Sequence, residues 1–173
     1  MLDVDTFRSR IYSSLAALVV AALLVVSGCA SEDQQGQQAE APPLPEDELT
    51  LEAPWARPAP AGGTSAVYFR LANGTAAADT LVEVRTPAAD SVSIHETIQN
   101  ADTTRMQPAG TVAVPAQQRI RLEPGGLHIM LMRLNQPLSL GDNVLIDVEF
   151  AEAGVRRISV PVRETAPGAQ PQE

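Results

Sequence analysis

The chain has 173 residues, including 21 acidic residues and 12 basic residues that are all arginine, and its formal net charge is −9. This length allows one domain of ordinary size together with flexible ends. Because nucleic-acid binding depends on basic residues that neutralise phosphates, the acidic balance excludes that class of function. The acidity instead favours solubility and the attraction of cations or basic partners.

The first 28 residues have the features of an export signal. Two arginines precede an apolar run from Leu15 to Val26. The run is short for a membrane-spanning helix, which needs about 20 apolar residues, but typical of a secretory signal. The following Val26-Ser27-Gly28-Cys29 resembles a bacterial lipobox. We therefore predict a lipoprotein signal peptide at residues 1–28 and lipidation of Cys29; the alternative is a small-residue cleavage site with an incidental cysteine.

Two segments are too polar to bury a core. Residues 29–50 are rich in Ser, Gln, Glu, Asp, Ala and Pro, and residues 164–173 have a similar composition without His or Met. Such compositions are typical of disordered chain. We predict a flexible linker between the lipid and the domain, and a disordered tail.

Cys29 is the only cysteine. An internal disulfide and a Cys-x-x-Cys redox pair are therefore excluded. Blue-copper electron transfer uses a cysteine ligand beside two histidines. A site of this type, which cycles electrons, is therefore not expected in this chain.

Residues 51–163 alternate with the period of β-strands and show no sustained helical periodicity. Asn73-Gly74 and Glu152-Ala153-Gly154 are typical of turns between strands. The pattern predicts an all-β domain of about eight strands, as a sandwich or a Greek-key barrel. Strands are predicted around residues 64–73, 81–84, 92–94, 111–114, 119–122, 127–134, 144–150 and 155–162.

Both histidines and, apart from Met1, all the methionines lie between His95 and Met132. Taken singly, each methionine could be core filler and each histidine an ordinary polar residue. Their clustering indicates a site. Imidazole and thioether form a soft ligand set that selects Cu(I) over metals that prefer oxygen. Zinc is the weaker candidate, because it more usually recruits thiolates or carboxylates beside histidine.

The spacing of His95, Met106, His128 and Met130 is His-x10-Met-x21-His-x-Met. It resembles the motif of the PCu(A)C family of extracytoplasmic copper chaperones, and the resemblance extends from about Trp55 to Pro161. It implies a cupredoxin-like fold that holds one Cu(I) through these four residues. In many family members a methionine follows the first histidine, whereas this chain has Glu96 there.

The resemblance also implies a role. Family members carry Cu(I) towards the CuA centre of cytochrome c oxidase, so the expected partners are that oxidase subunit or a Sco-type copper protein. The chain would then be a monomeric, membrane-anchored lipoprotein of the periplasm. The alternative is a copper scavenging or tolerance protein with the same ligands and no delivery. No arrangement of nucleophile, base and orienting group indicates an enzyme.

Strand geometry gives the ligands a common side. In the strand predicted at residues 127–134, every second side chain lies on the same face. His128, Met130 and Met132 therefore point one way, while the apolar residues between them point to the core. Met132 lies beyond the motif. We predict that it packs beneath the site and is not a ligand.

The expected position of the site is the rim of a barrel. Pro124-Gly125-Gly126 would bring the start of the following strand to that rim. His95, at the end of its own strand, and Met106, in a polar connection, could meet it there. Such a site would be accessible for ligand exchange with a partner.

Overall fold

A computed structural model describes residues 42–100 and 103–168 of the chain. The predicted signal peptide, Cys29, most of the predicted linker and the last five residues lie outside this range. The described residues belong to one compact unit built from β-strands. In this part of the chain no helix is long and apolar enough to cross a membrane.

Ten strands occur in the described residues, against about eight predicted. They are β1 Leu49–Ala56, β2 Thr64–Asn73, β3 Asp79–Arg85, β4 Ala89–Asn100, β5 Thr103–Pro108, β6 Val112–Val114, β7 Gln118–Leu122, β8 Leu127–Leu134, β9 Asn143–Phe150 and β10 Gly154–Pro161.

The strands form two sheets. The larger sheet has the order β1-β2-β7-β8-β4-β5, and β2 also pairs with β8. The smaller sheet has the order β10-β9-β3-β6. The prediction of an all-β domain is confirmed. In the described residues the two sheets do not close into a barrel, so of the two predicted architectures the structure has the sandwich.

The core lies between the two sheets. Strand alternation turns one face of each sheet inward. Phe69 and Leu131 of the larger sheet and Ile146 and Phe150 of the smaller one are fully buried. Burial of each such side chain stabilises the fold by about 1.5–3 kcal/mol. The outer face of the larger sheet is thereby left for other roles.

A β-bulge in β1 changes which residues reach that outer face. Glu52 pairs with Arg70 and Trp55 pairs with Tyr68, so β1 contains one residue more than β2 in this interval. Ala53 takes the left-handed backbone conformation with φ of 48°, which costs an alanine about 1–2 kcal/mol. The extra residue places Trp55 on the outer face, where its ring lies 4.6 Å from that of Tyr68 between centroids.

Residues 42–48, within the predicted linker, lie against the domain. The Arg119 guanidinium donates to the carbonyl of Pro43 at 2.8 Å. A Cβ on Gly74 would overlap the Pro45 carbonyl oxygen, so only glycine allows this close approach. The first strand begins at Leu49, two residues before the predicted start of the domain.

Candidate metal centre

His95 on β4 and His128 on β8 lie directly opposite each other in the larger sheet. Their ring centroids are 6.0 Å apart. Their neighbours Ile94 and Ile129 are buried in the core, so both imidazoles are on the outer face. The predicted position at a barrel rim is therefore wrong. His95 is not at the end of its strand either, because β4 continues to Asn100 as a hairpin with β5.

A tight turn orients the ring of His128, which is only 5% exposed. Its Nδ1 lies 2.9 Å from the carbonyl oxygen of Gly126. Because a carbonyl only accepts, Nδ1 carries the proton and donates, and the lone pair is left on Nε2. Gly125, with φ of 84°, forms the turn that presents this carbonyl. Such a contact on the second ring nitrogen is typical of metal-ligating histidines.

His95 is held from its own strand. Its Nε2 lies 2.8 Å from the hydroxyl oxygen of Ser93, two residues earlier. Its Nδ1 is buried, and no hydrogen-bond partner meets it in the described part of the chain. Buried polar atoms without a partner are uncommon and are frequently part of a functional site. Nδ1 of His95 and Nε2 of His128 are thus the two imidazole nitrogens free for a ligand.

Met130 and Met106 flank the histidine pair at its two ends. Met130 lies two residues after His128 and opposite Ser93. Met106 is 60% exposed and lies opposite Thr97, two residues after His95. Two residues along a strand correspond to about 7 Å. All four predicted ligands therefore share one face, although Met106 lies on strand β5 and not in a connection as predicted.

Met132 is one step further from the histidines. It pairs with Ser91 on β4 and Thr64 on β2, and it is half-buried. The predicted alternation of β8 is confirmed, since Ile129 and Leu131 have no exposed surface. Whether Met132 contributes to binding stays a prediction.

Two aromatic rings extend the row of side chains beyond His128. The ring of Tyr68 lies 6.4 Å from that of His128, and Trp55 packs on the other side of Tyr68. Both aromatic residues are buried. Burial raises the pKa of the Tyr68 hydroxyl, and the charge of Arg57 opposes the rise only in part. Tyr68 is therefore a neutral phenol at ordinary pH.

The donor set suits a soft metal ion. Within residues 42–100 and 103–168 no three residues of the His, Cys, Asp and Glu types gather as a metal site, so a site for a hard cation finds no support there. Metal–imidazole bonds are about 2.0–2.1 Å long, and rings 6.0 Å apart can share one ion after small side-chain adjustments. Two imidazoles with thioethers at either end favour Cu(I).

Sequence reasoning missed several residues that surround the candidate ligands. Ser93 shares a strand face with His95, and strand periodicity alone could have identified it. Tyr68 and Trp55 needed the pairing of β2 with β8 and the bulge in β1, neither of which has a clear signal in a single sequence.

Comparison with known proteins places the chain in a family. The family model described as "Putative lipoprotein LpqE-like" matches residues 49–162. A curated relative, "Putative lipoprotein Lxx21020" of Leifsonia xyli subsp. xyli, is 31% identical over 155 residues, which cover 86% of this chain and 89% of the relative.

Solved structures support the same assignment. The apo PCuAC domain from PmoF1 has a TM-score of 0.57 and 26% identity, covering 70% of this chain and 98% of that domain. The solution structure of CuI-DR1885 from Deinococcus radiodurans has a TM-score of 0.53 and 26% identity, covering 75% of this chain and 85% of that chain. The copper-bound PCuAC domain from PmoF2 is similar in fold, with a TM-score of 0.57 and 24% identity, covering 70% of this chain and 97% of that domain. The resemblance identified from the motif is confirmed, and the chain belongs to the LpqE-like family of lipoproteins, with the fold of a PCuAC domain.

Proposed function

We propose that this chain is an extracytoplasmic copper chaperone that carries one Cu(I) on the outer face of its larger sheet, through His95, Met106, His128 and Met130. The observation that carries the proposal is the apposition of the two imidazoles with one unpartnered nitrogen each. The similarity to a Deinococcus protein solved in its Cu(I) form supports it.

The geometry suits transfer better than permanent storage. Imidazole and thioether are neutral ligands, so the Cu(I) keeps its single positive charge and is not neutralised by thiolates. Met106 is the most exposed of the four side chains and lies on the outermost strand of the sheet. A partner can replace this thioether first, while the two histidines still hold the ion. Copper then passes by exchange of ligands without appearing free in solution.

The destination of the copper follows from the family resemblance. We propose delivery towards the CuA site of cytochrome c oxidase, directly or through a Sco-type copper protein. A scavenging or tolerance protein is the alternative, and it would use the same four ligands without release to an oxidase. Cu(I) transfer to a CuA-domain apoprotein, followed by one-electron oxidation with ferricyanide and the absorption spectrum of the mixed-valence CuA centre, separates the two: a chaperone restores the spectrum and a scavenger does not.

Export and anchoring form the second part of the proposal. The family model and the curated relative are both described as lipoproteins, which supports lipidation of Cys29 and a protein held at the outer side of a membrane in the cell envelope. The intact mass of the membrane-extracted protein should show residues 1–28 removed and acyl mass on Cys29. A soluble mature form with another first residue would contradict the anchor.

Copper stoichiometry tests the site directly. Competition with a chromogenic Cu(I) chelator should show one Cu(I) per chain. The double variant His128→Ala, Met130→Ala should lose it, whereas Thr64→Ala, on the same face beside Met132, should keep it. Full affinity in the double variant would exclude this site. A circular dichroism spectrum of each variant shows that the sandwich is intact.

A further inference from the structure

The net charge of the chain is unevenly distributed. Residues 32–48 contain six acidic residues and no basic residue, namely Glu32, Asp33, Glu40, Glu46, Asp47 and Glu48. Residues 49–163 contain acidic and basic residues in nearly equal number. Local clusters, and not the overall charge of −9, therefore determine which surfaces of the sandwich attract a partner.

One such cluster lies on the outer face of the larger sheet, which also carries the candidate copper ligands. Arg70 on β2 and Arg121 on β7 are directly opposite each other, and Arg119 follows two pairs further along, opposite Ala72. Glu52 lies 3.6 Å from the guanidinium of Arg70 and 3.4 Å from that of Arg119. We call Arg70, Arg119 and Arg121 the arginine face.

The arginine face is incompletely paired. Like charges directly opposite on neighbouring strands destabilise a sheet, and Glu52 is shared by two arginines. In the described part of the chain Arg121 has no carboxylate within 4.0 Å, and the buried Nε of Arg119 has no hydrogen-bond partner. Departures of this kind from local pairing rules are expected where a surface serves a function.

A concave site lies at the end of this face towards Trp55. A cavity of about 170 Å³ is lined by Trp55, Arg70, Arg121, Glu123 and Pro167. Glu123 offsets one of the two arginines, so the lining retains one positive charge. Tyr68 lies between Trp55 of this lining and the candidate metal centre, since it packs on Trp55 and its ring lies 6.4 Å from that of His128.

We propose that the arginine face is the docking surface for an acidic patch of the protein that exchanges copper with this chain, with a carboxylate of that protein entering the cavity between Arg70 and Arg121. This inference rests on the proposed function. A partner whose ligands reach the copper must cover the neighbouring part of the same sheet face, and arginines are well suited to bind carboxylates there.

Glu52 and Glu123 lie at this face and offset part of its charge, whereas Asp47 and Glu48 lie elsewhere. Asp47 and Glu48 line a cavity with Asn73 and Asp79. Arg119 contacts the backbone carbonyl of Pro43, whereas Arg70 and Arg121 lie on the side of the face towards Trp55. The part of the face next to the metal centre is thus open to an external carboxylate.

The test is titration of the ¹⁵N-labelled protein with a peptide of ten glutamates, monitored by amide chemical shifts. We expect shifts on β1, β2 and β7 around Arg70 and Arg121, and an affinity that falls about tenfold when the salt concentration is raised tenfold. The double variant Arg70→Gln, Arg121→Gln should weaken binding at least fivefold. Its control is Arg156→Gln, Arg157→Gln, which makes the same charge change on β10 and should leave binding unchanged.

Three kinds of result would overturn the assignment. The first is binding that is not specific to the arginine face, seen either as peptide shifts outside it or as equal weakening in the control variant. The second is movement of the arginine-face signals without peptide when Glu32, Asp33 and Glu40 are changed to Gln, because the chain's own acidic segment would then be the occupant. The third is stronger binding of phosphatidylglycerol vesicles than of the peptide at the same residues, which would assign the face to a lipid surface.

Copper binding by the same samples separates this inference from the proposed function. Arg70→Gln, Arg121→Gln should still bind one Cu(I) with unchanged affinity, because neither arginine is a ligand. If the wild-type protein does not bind Cu(I), the proposed function is contradicted, but the result of the peptide titration still stands. Normal copper binding without peptide binding would remove only the docking surface.

Discussion

His95 and His128 are cross-strand partners on β4 and β8, and their imidazole centroids are 6.0 Å apart on the outer face of the larger sheet. Both rings are oriented before any ligand arrives, one by Ser93 and one by the carbonyl of Gly126. A preoriented pair binds without the ordering cost that two mobile side chains would carry.

The first prediction concerns His95 itself. We expect His95→Gln to lower Cu(I) affinity by more than about 100-fold, because even loss of a residue that merely supports a ligand costs 10–100-fold. The free energy of unfolding should fall by only about 1 kcal/mol, since the hydrogen bond of Nε2 with Ser93 is lost while the buried Nδ1 has none to lose. Chelator competition and urea unfolding measure the two effects. The control Gln99→Ala, on the same strand and face, should leave both quantities unchanged.

The second prediction isolates the hydroxyl of Ser93. Ser93→Ala removes the partner of His95 Nε2 and should lower Cu(I) affinity about tenfold, with Ser93→Thr restoring it. The ¹⁵N shifts of the His95 ring should change in the alanine variant without copper. Ser91→Ala is the matched control, because Ser91 lies on the same face opposite Met132. Equal losses at both serines would mean that Ser93 acts through packing and does not orient the ring.

The third prediction separates the two methionines of β8. Met130 is two residues from His128, and Met132 is about 7 Å further along the strand. Met130→Leu should weaken Cu(I) binding strongly, while Met132→Leu should leave it nearly unchanged. Each replacement conserves volume and should cost less than about 1.5 kcal/mol of stability. Equal loss of copper in both variants would show that Met130 is not the only thioether ligand on this strand.

The fourth prediction concerns Asp79, at the start of β3. Burial alone would raise the pKa of its carboxyl, but backbone N–H donors of Glu152, Thr80 and Ala153 outweigh this effect and hold the pKa below its usual value. A lowered pKa in the folded state adds stability that is present above the unfolded value, about 3.9 for Asp, and is lost as pH falls through the folded value.

We expect Asp79→Asn to cost about 1–3 kcal/mol at pH 7, because the amide nitrogen cannot accept the hydrogen bond that the second carboxylate oxygen accepts. Its stability should also fall less steeply than that of the wild type below about pH 4. Urea unfolding at several pH values tests both effects. Asp90→Asn, which removes an exposed ion pair with Arg133, should cost well under 1 kcal/mol. An unchanged acid dependence in Asp79→Asn would show that other carboxylates dominate it.

Sequence reasoning succeeded where one strand contained the whole signal. In β8 the alternation of apolar and ligand residues determined both faces, and the predicted bounds of β2 and β8 agree with the structure. It failed where the position of a residue depends on another strand. The polar residues after His95 gave no apolar alternation, so the long hairpin of β4 with β5 was missed, and Met106 was assigned to a connection.

The residue pattern within one strand also could not predict the register between two strands. That His95 faces His128, and that Ser93 lies opposite Met130, follows from the pairing of β4 with β8. Pairing depends on contacts between residues distant in the chain, and the spacing of the motif says nothing about it directly. The motif therefore identified the candidate ligands, while their arrangement on an open sheet face required the structure.

The bulge at Ala53 has an optical consequence. By moving Trp55 to the outer face, the bulge places the only tryptophan of the chain against the ring of Tyr68, which in turn lies beside the ring of His128. The tryptophan fluorescence of this protein therefore comes from one indole, which lines the cavity of the arginine face and is separated from the candidate metal centre by the ring of Tyr68. We expect both Cu(I) binding at the candidate centre and carboxylate binding in the cavity to change the emission of the unlabelled protein.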